Sequence, residues 1–572
     1  MSAPDRTIDL GWRDLFAEIR PVPTDAAVTV RVERAVIPII FVPGIMGSRL
    51  KRMRPGPTPS SQALTIAWEP ELLLGFKLRT ARRLGWLVRN FVLADAESRK
   101  AQLIGTRFDE GYLEVVGRTP EGTVDEGDRE HAGETADVPG AYERGWVGVS
   151  MESYGPILRH LSTLEWSEPV RHCFDLPVHA FGYNWSQSNI TSGEQLVDYA
   201  DRVVRLYAEA GRECEHVILV THSMGGLVAR AACQQLERDR PDLVLGVVHG
   251  VQPASGAPNA YWRMKGGFAE YVISQALGKN AAEVTPLLGN MPGGLQLLPN
   301  KRYRALYGGQ ESPFWFRYPE PTLDPDQTRE VLRPETGDPY QEIYRERDKF
   351  YRLCDDRLLD PGGFLSLDPT QAGDPWSLYV SYIDEAETYH DLLQDYAHPD
   401  TVQFYSDGIE TQATIEFERE QDEDWAEPST GLRRVGERVV ERVRHPIAGT
   451  YEDAANTRGF QVRVTWNGLP VDDAMAWQPD ESWLDVAPGT YHEAVYVMTL
   501  QPPDDGLGDG TVPQTSGRAL ELGDGRTVRI GSEGDAGPGH EPAYKDSTAQ
   551  HVTAMAIENL CLGVIRRETG GD

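Results

Sequence analysis

A serine hydroxyl is a weak nucleophile until a base removes its proton, and residues 221–226, THSMGG, set one hydroxyl where that activation can be arranged. Ser223 follows the apolar run HVILV and precedes MGGLVARAACQQLERD, so the pattern predicts a strand, a sharp turn and a helix. Gly225 and Gly226 suit so cramped a corner, where a side chain would clash. The turn would lift the Ser223 hydroxyl clear of the strand's C-terminal edge. It would also aim the N–H of Met224 at the same space, beside the positive end of the new helix. Acyl transfer through a covalent intermediate is the chemistry such a corner permits. It requires a base, an acid to orient that base, and a second N–H donor for the oxyanion.

Each requirement has a candidate elsewhere in the chain. The acid is Asp509, in the stretch LGDGTVP. A Gly-Asp-Gly stretch is by itself an ordinary turn, but its place between the serine and a later histidine gives the order Ser, Asp, His. Asp504 and Asp505 are rivals without the following Gly-Thr-Val-Pro. The base is His540, in GPGHEPAYK at a loop-to-helix junction, whereas His551 falls inside the helix that follows. His222, beside the nucleophile, is expected to point into the packing around the corner. Held in one tautomer by Asp509, the His540 imidazole would take the Ser223 proton and return it to the leaving alcohol. The second donor is the backbone of Ile45 or Met46 in VPGIMGSRL (42–50), where Gly44 and Gly47 allow close approach; read alone, that stretch is also a plain Pro-Gly turn. This chemistry needs no metal or cofactor, and no ligand cluster of suitable spacing is visible.

The elements that must position these residues follow a βα rhythm. VIPIIFV (36–42), LPVHAFGYNW (176–185), HVILV (216–220), LVLGVVHGV (243–251) and DTVQFYSDG (400–408) read as strands. TSGEQLVDYADRVVRLYAEAG (191–211) and the residues after Ser223 read as helices, and a last helix spans about 541–567. Strands and helices alternating at this spacing predict a mostly parallel sheet with helices on both faces. We expect residues 1–253 to form the first part of the core, with an insertion at 52–145. Residues 254–400 are expected to form a mainly helical cap, and 401–572 the rest of the core with a β-rich excursion at 410–490. The insertion carries a basic amphipathic segment, LLLGFKLRTARRLGWLVRNFVL (72–93), which either packs on the sheet with its arginines outward or touches lipid head groups.

Composition excludes several other functions. The 572 residues include 56 Lys and Arg against 88 Asp and Glu, a formal net charge of −32, which argues against nucleic acid and against simple adhesion to anionic lipid. Five scattered cysteines without CxxC spacing indicate neither a disulfide framework nor a zinc site. The N-terminal MSAPDRTIDLGWRDLFAEIR has no apolar signal-peptide core, and no run reaches the ~18 apolar residues of a membrane span. The chain is therefore expected in the cytoplasm as synthesised, with any export by a route that reads no such signal.

Taken together, the blocks resemble the lecithin:cholesterol acyltransferase-like branch of the α/β hydrolases, and in detail are similar to bacterial lipases, type VI secretion lipase effectors among them. FVPGIMGSRL is similar to that family's oxyanion loop, THSMGG to its nucleophile elbow and GDGTVP to its acid loop; HGVQPASGAP and GGLQLLP also match family blocks. Asn184 and Ser186 in FGYNWSQS stand where the branch has an aspartate and an arginine, and Thr221 stands where the serine motif usually has glycine. The resemblance implies an α/β-hydrolase fold with large cap insertions and cleavage of lipid carboxylic esters, phospholipids in the manner of a phospholipase A, through an acyl-enzyme on Ser223. An acyltransferase with the same three residues and an inactive binding scaffold on the same fold are the alternatives. By analogy with secreted toxins, the resemblance also implies a cognate immunity protein that blocks the cleft.

Overall fold

The computed structural model describes residues 6–16, 28–52, 65–70, 96–104, 113–118, 138–268, 277–278, 281–321, 328–347, 349–363, 365, 373–420, 438–446, 460–466, 469–470, 491–499, 506–531 and 536–569. At its centre lie six strands: β1 (Ile39–Val42), β2 (Val178–Ala180), β3 (Val217–His222), β4 (Val244–Gly250), β5 (Thr401–Ser406) and β6 (Thr527–Ile530). Their order across the sheet is β6-β5-β4-β3-β1-β2, and every neighbouring pair is parallel. Parallel neighbours need crossovers that cover both faces, which is why β1, β3 and β4 are largely apolar runs.

Side chains alternate between two cores. Ile40, Val42 and Leu219 pack on one face beneath α2 (Asn189–Glu209) and α3 (Met224–Asp239). Ile39, Phe41, Ile218 and Val220 pack on the other against α1 (Met151–Thr163) and α7 (Ser547–Thr569). The α1 and α2 starts are fixed by serine caps: Ser150 Oγ accepts from Ser153 N at 3.3 Å, and Ser188 Oγ from Ile190 N at 3.2 Å.

The elements expected from periodicity form with small differences at their ends. The stretch 176–185 is strand only over Val178–Ala180, because Phe181 to Ser188 turn away to bring Trp185 toward the site. The last helix begins at Ser547, behind a short 3-10 turn (Ala543–Lys545), since Pro542 and the Asp546 cap delay it. The stretch 254–400 holds helices α4 (Pro258–Gly266), α5 (Ala281–Leu288) and α6 (Pro375–Leu393), together with a hairpin, Phe316–Pro321 with Thr328–Arg333. That hairpin belongs to a second sheet of seven strands, whose other members are Ile415–Glu420, Arg438–Pro446, Phe460–Trp466, Leu469–Pro470 and Tyr491–Thr499. The junction is a parallel pairing of Phe316 with Ile415 and Arg317 with Glu416. The basic segment 72–93, Asp504 and Asp505 lie outside the described residues.

Buried ionic groups tie segments far apart in the sequence to one another. Lys100 Nζ is 2.8 Å from Asp360 Oδ1, with both side chains almost fully enclosed, and the Lys265 ammonium of α4 donates to the carbonyls of Phe350 and Arg352. Arg230 of α3 donates to the carbonyls of Tyr396 and Gln394, and burial lowers its pKa to about 10. All five cysteines are buried and unbonded to one another. Among the described residues no helix is long and apolar enough to cross a membrane.

Four buried histidines make the fold sensitive to acid. Burial lowers the pKa of His179, His222 and His249 to about 3, and that of His390 to about 4. In the unfolded chain each would titrate near ~6.5. Below that pH the unfolded state takes up protons that the folded state refuses, so the stability these groups contribute is present above it and lost as pH falls toward 4 and 3. We expect the urea midpoint to drop between pH 6.5 and 4, with a slope of up to ~1.4 kcal/mol per pH unit for each titrating histidine. A flat profile over that range would contradict the assignment.

Candidate active site

The C-terminal end of β3 delivers Ser223 to the open edge of the sheet. Its backbone sits at φ 52 and ψ −126, a conformation that costs an L-residue free energy and persists only when its surroundings enforce it. Those surroundings are identifiable. Ser223 N donates to Gly250 O at 3.0 Å, and Gly226 N donates back to Ser223 O at 2.9 Å. A Cβ on Gly225 would lie 2.4 Å from the Val42 carbonyl oxygen, and one on Gly44 would lie 2.9 Å from the Ser223 Cβ. The elbow and the loop after β1 are thus pressed backbone to backbone, and glycine at these positions is what permits it.

Three residues far apart in sequence meet there. His540 Nε2 is 2.8 Å from Ser223 Oγ, and His540 Nδ1 is 2.7 Å from Asp509 Oδ2. The other Asp509 oxygen, Oδ1, accepts from the N–H groups of Thr511 and Val512 at 2.9 and 2.7 Å. A carboxylate so engaged accepts the Nδ1 proton, which leaves Nε2 free to accept from the serine hydroxyl. Asp509 is 3 % and Ser223 4 % exposed, so water competes little for either. His540 N also donates to Asp509 O at 2.9 Å, tying the base's loop to the acid's. His551 lies on the exposed side of α7, one of the positions of that helix turned to solvent.

The candidate oxyanion donors surround the same corner. Residues 44–47 form a turn closed by Gly47 N donating to Gly44 O at 3.1 Å, with Met46 at φ 61. Trp68 Nε1 donates to Met46 O at 2.7 Å and so fixes the peptide that follows Met46. Beneath it, the guanidinium of Arg49 grips Glu69 with Nε and NH2, and NH1 donates to Val147 O. Among the described residues the N–H groups of Ile45, Met46 and Met224 have no backbone partner. Gly44 N, by contrast, is already engaged by Tyr154 Oη at 3.1 Å.

A cavity of about 390 Å³ opens at the serine. Its walls include the apolar Trp68, Trp185, Met264, Leu288 and Leu297 together with Ser223 and His540. Trp185 comes from the same segment as Asn184, whose Oδ1 accepts from Ser186 Oγ at 2.7 Å; these two residues shape that turn instead of facing substrate as charged groups. Among the described residues no His, Cys, Asp and Glu cluster has the geometry to hold a metal ion.

The structure brings together Ser223, Asp509 and His540, the three residues expected from their loops, and adds Tyr154, Trp68 and Glu69, to which the sequence assigned no part. Their signal is weak, because an aromatic or an ion pair in an insertion or on a helix looks like ordinary packing until the loops are folded together.

A family model described as a PGAP1-like alpha/beta domain matches residues 188–267, which run from α2 through the turn at Ser223 to α4. Among solved structures, a chain of the Tle4-Tli4 complex is 25 % identical, with a TM-score of 0.61 over 93 % of this chain and 99 % of that one. Phospholipase PlaB from Legionella pneumophila is 11 % identical over 61 % of this chain and 79 % of its own, and at a TM-score of 0.17 that likeness carries no argument. No curated protein matches the sequence. The first two matches bear out the α/β-hydrolase fold and the resemblance to lipase-effector chains read from the sequence blocks.

Proposed function

We propose that this chain is a serine esterase that cleaves carboxylic esters of lipids, phospholipids in particular, through an acyl-enzyme on Ser223. The observation that carries this reading is the 2.8 Å contact of Ser223 Oγ with His540 Nε2 in the wall of a largely apolar cavity. As the hydroxyl attacks the ester carbonyl, its proton passes to His540 Nε2, and the oxyanion accepts from Met224 N and from Ile45 or Met46 N. Collapse of the tetrahedral intermediate breaks the ester C–O bond, and His540 returns the proton to the departing alcohol. Water then attacks the acyl-enzyme, again losing a proton to His540, which frees the fatty acid and restores the hydroxyl. The acyl chain would lie along Trp185, Met264 and Leu297, whose burial from water favours an apolar ligand. A protein partner is part of the same reading, supported by the similar chain having been solved as a Tle4-Tli4 complex.

The test is incubation with defined phospholipids and neutral esters, followed by mass analysis of the products, alongside labelling by a fluorophosphonate probe. Free fatty acid with a lysophospholipid, and a label on Ser223, are the expected results. Transfer of the acyl group to an added alcohol in preference to water would make the chain an acyltransferase. A protein inert to both probe and esters would remove the proposal altogether.

A further inference from the structure

His222 has no part in the proton transfers, yet it touches the base's loop. Its Nε2 lies 2.8 Å from the backbone carbonyl of His540, and its Nδ1 lies 3.1 Å from Tyr154 Oη, which in turn lies 3.1 Å from Gly44 N. One placement of protons satisfies all three contacts. A carbonyl only accepts, so His222 carries its proton on Nε2; Nδ1 therefore accepts from the tyrosine hydroxyl, and the tyrosine oxygen accepts from Gly44 N–H. The result is a one-way run of hydrogen bonds from the oxyanion loop, through α1 and the residue before the nucleophile, to the main chain of the base.

The run is enclosed and aromatic on its flanks. The Tyr154 ring lies 4.9 Å from that of Phe41, and His222 lies between Tyr154 and Tyr544, at 5.4 and 6.0 Å. Tyr544 Oη donates to Thr221 O at 2.9 Å, so the residue before His222 is pinned as well. Burial keeps the His222 imidazole neutral, as the one-way arrangement needs, and raises the pKa of the Tyr154 phenol, so it remains a donor. The main chain at His540 is held at both its polar atoms: N by the Asp509 carbonyl and O by His222.

We infer that Tyr154 and His222 are positioning residues that lock the oxyanion loop and the main chain of His540 into one register, so that donors and base face the same carbonyl. The inference rests on the proposed acyl-enzyme reaction. Tyr154, His222 and His540 all line the cavity beside the serine, and a displacement of the base by a fraction of an ångström lengthens its contact with Ser223 Oγ, so the larger cost falls on turnover.

The experiment measures kcat, KM and thermal midpoint on a short nitrophenyl ester for wild type, Tyr154→Phe, His222→Leu, His222→Gln and the double variant Tyr154→Phe/His222→Leu. We expect about a tenfold loss of kcat in Tyr154→Phe and roughly tenfold to a hundredfold in His222→Leu, with KM little changed. Glutamine can place an amide N–H near the position of the imidazole Nε2, so His222→Gln should recover most of that loss. Because the two residues act as one run, the double variant should be no worse than His222→Leu alone. An active wild type whose variants keep full kcat, or lose it through KM, or in which glutamine is no better than leucine, or whose losses multiply in the double variant, overturns the positioning role alone. A wild type inert to ester and to fluorophosphonate overturns the reaction and the positioning role together.

Discussion

Ser223→Ala should reduce ester cleavage by about a millionfold in kcat, as for the nucleophile of a comparable protease triad, while the protein melts close to the wild-type temperature. Alanine fits the site, since among the described residues the Ser223 side chain makes its hydrogen bond only to His540 Nε2, and the Cβ is already accommodated opposite Gly44. The backbone strain is untouched, because an alanine at φ 52 and ψ −126 is no more comfortable than a serine. Ser223→Gly separates the two effects. It removes the nucleophile as completely, but relieves a conformation that only glycine adopts readily, and should stabilise the fold by ~1 kcal/mol. Activity on nitrophenyl esters and a denaturant titration of the three proteins measure both. Wild-type turnover in Ser223→Ala would eliminate the acyl-enzyme, and a glycine variant less stable than the alanine one would show that the strain assigned to this residue is not there.

Asp509→Asn should reduce kcat by roughly 10⁴-fold, the size of effect known for the same change in the serine protease triad. The two sides of the carboxylate are not equivalent. Oδ1 faces the N–H groups of Thr511 and Val512, so the asparagine oxygen must stay there, and the amide nitrogen is forced toward His540 Nδ1. Two donors cannot face each other. The imidazole answers by keeping its proton on Nε2, where it can no longer accept from Ser223 Oγ. The loss should appear in kcat with substrate binding preserved, and the rate of fluorophosphonate labelling of Ser223 should fall in parallel. Labelling at the wild-type rate would show that Asp509 does not govern the tautomer.

Much of this site could be read before folding because each part sits on a turn with its own signature. Gly225 identifies the elbow, since any side chain would strike the Val42 and Pro43 carbonyls, and Asp509 is marked by the Gly-Thr-Val-Pro whose N–H groups its own carboxylate receives. Strands β1, β3 and β4 were legible because a strand covered on both faces is apolar along most of its length. Other features depend on distance in space and leave little trace in the letters. Thr527–Ile530 is too short and too polar to stand out, yet it completes the sheet by pairing with β5. Trp68 and Glu69 sit in an insertion without a recognisable pattern, and only the fold brings them under Met46 and against Arg49. His222 was read correctly as packing around the elbow; that its ring also reaches the carbonyl of His540 depends on a loop more than three hundred positions later.

The seven-stranded sheet draws on chain from both sides of β5, because its hairpin (Phe316–Pro321 and Thr328–Arg333) precedes that strand and its remaining members follow it. No contiguous fragment that omits β5 can therefore assemble it. During synthesis, the hairpin must wait with an unpaired edge until more than eighty further residues have emerged and Phe316 meets Ile415. Any attempt to shorten the chain by excising 410–490 would uncover that edge, and should trade a shorter polypeptide for self-association.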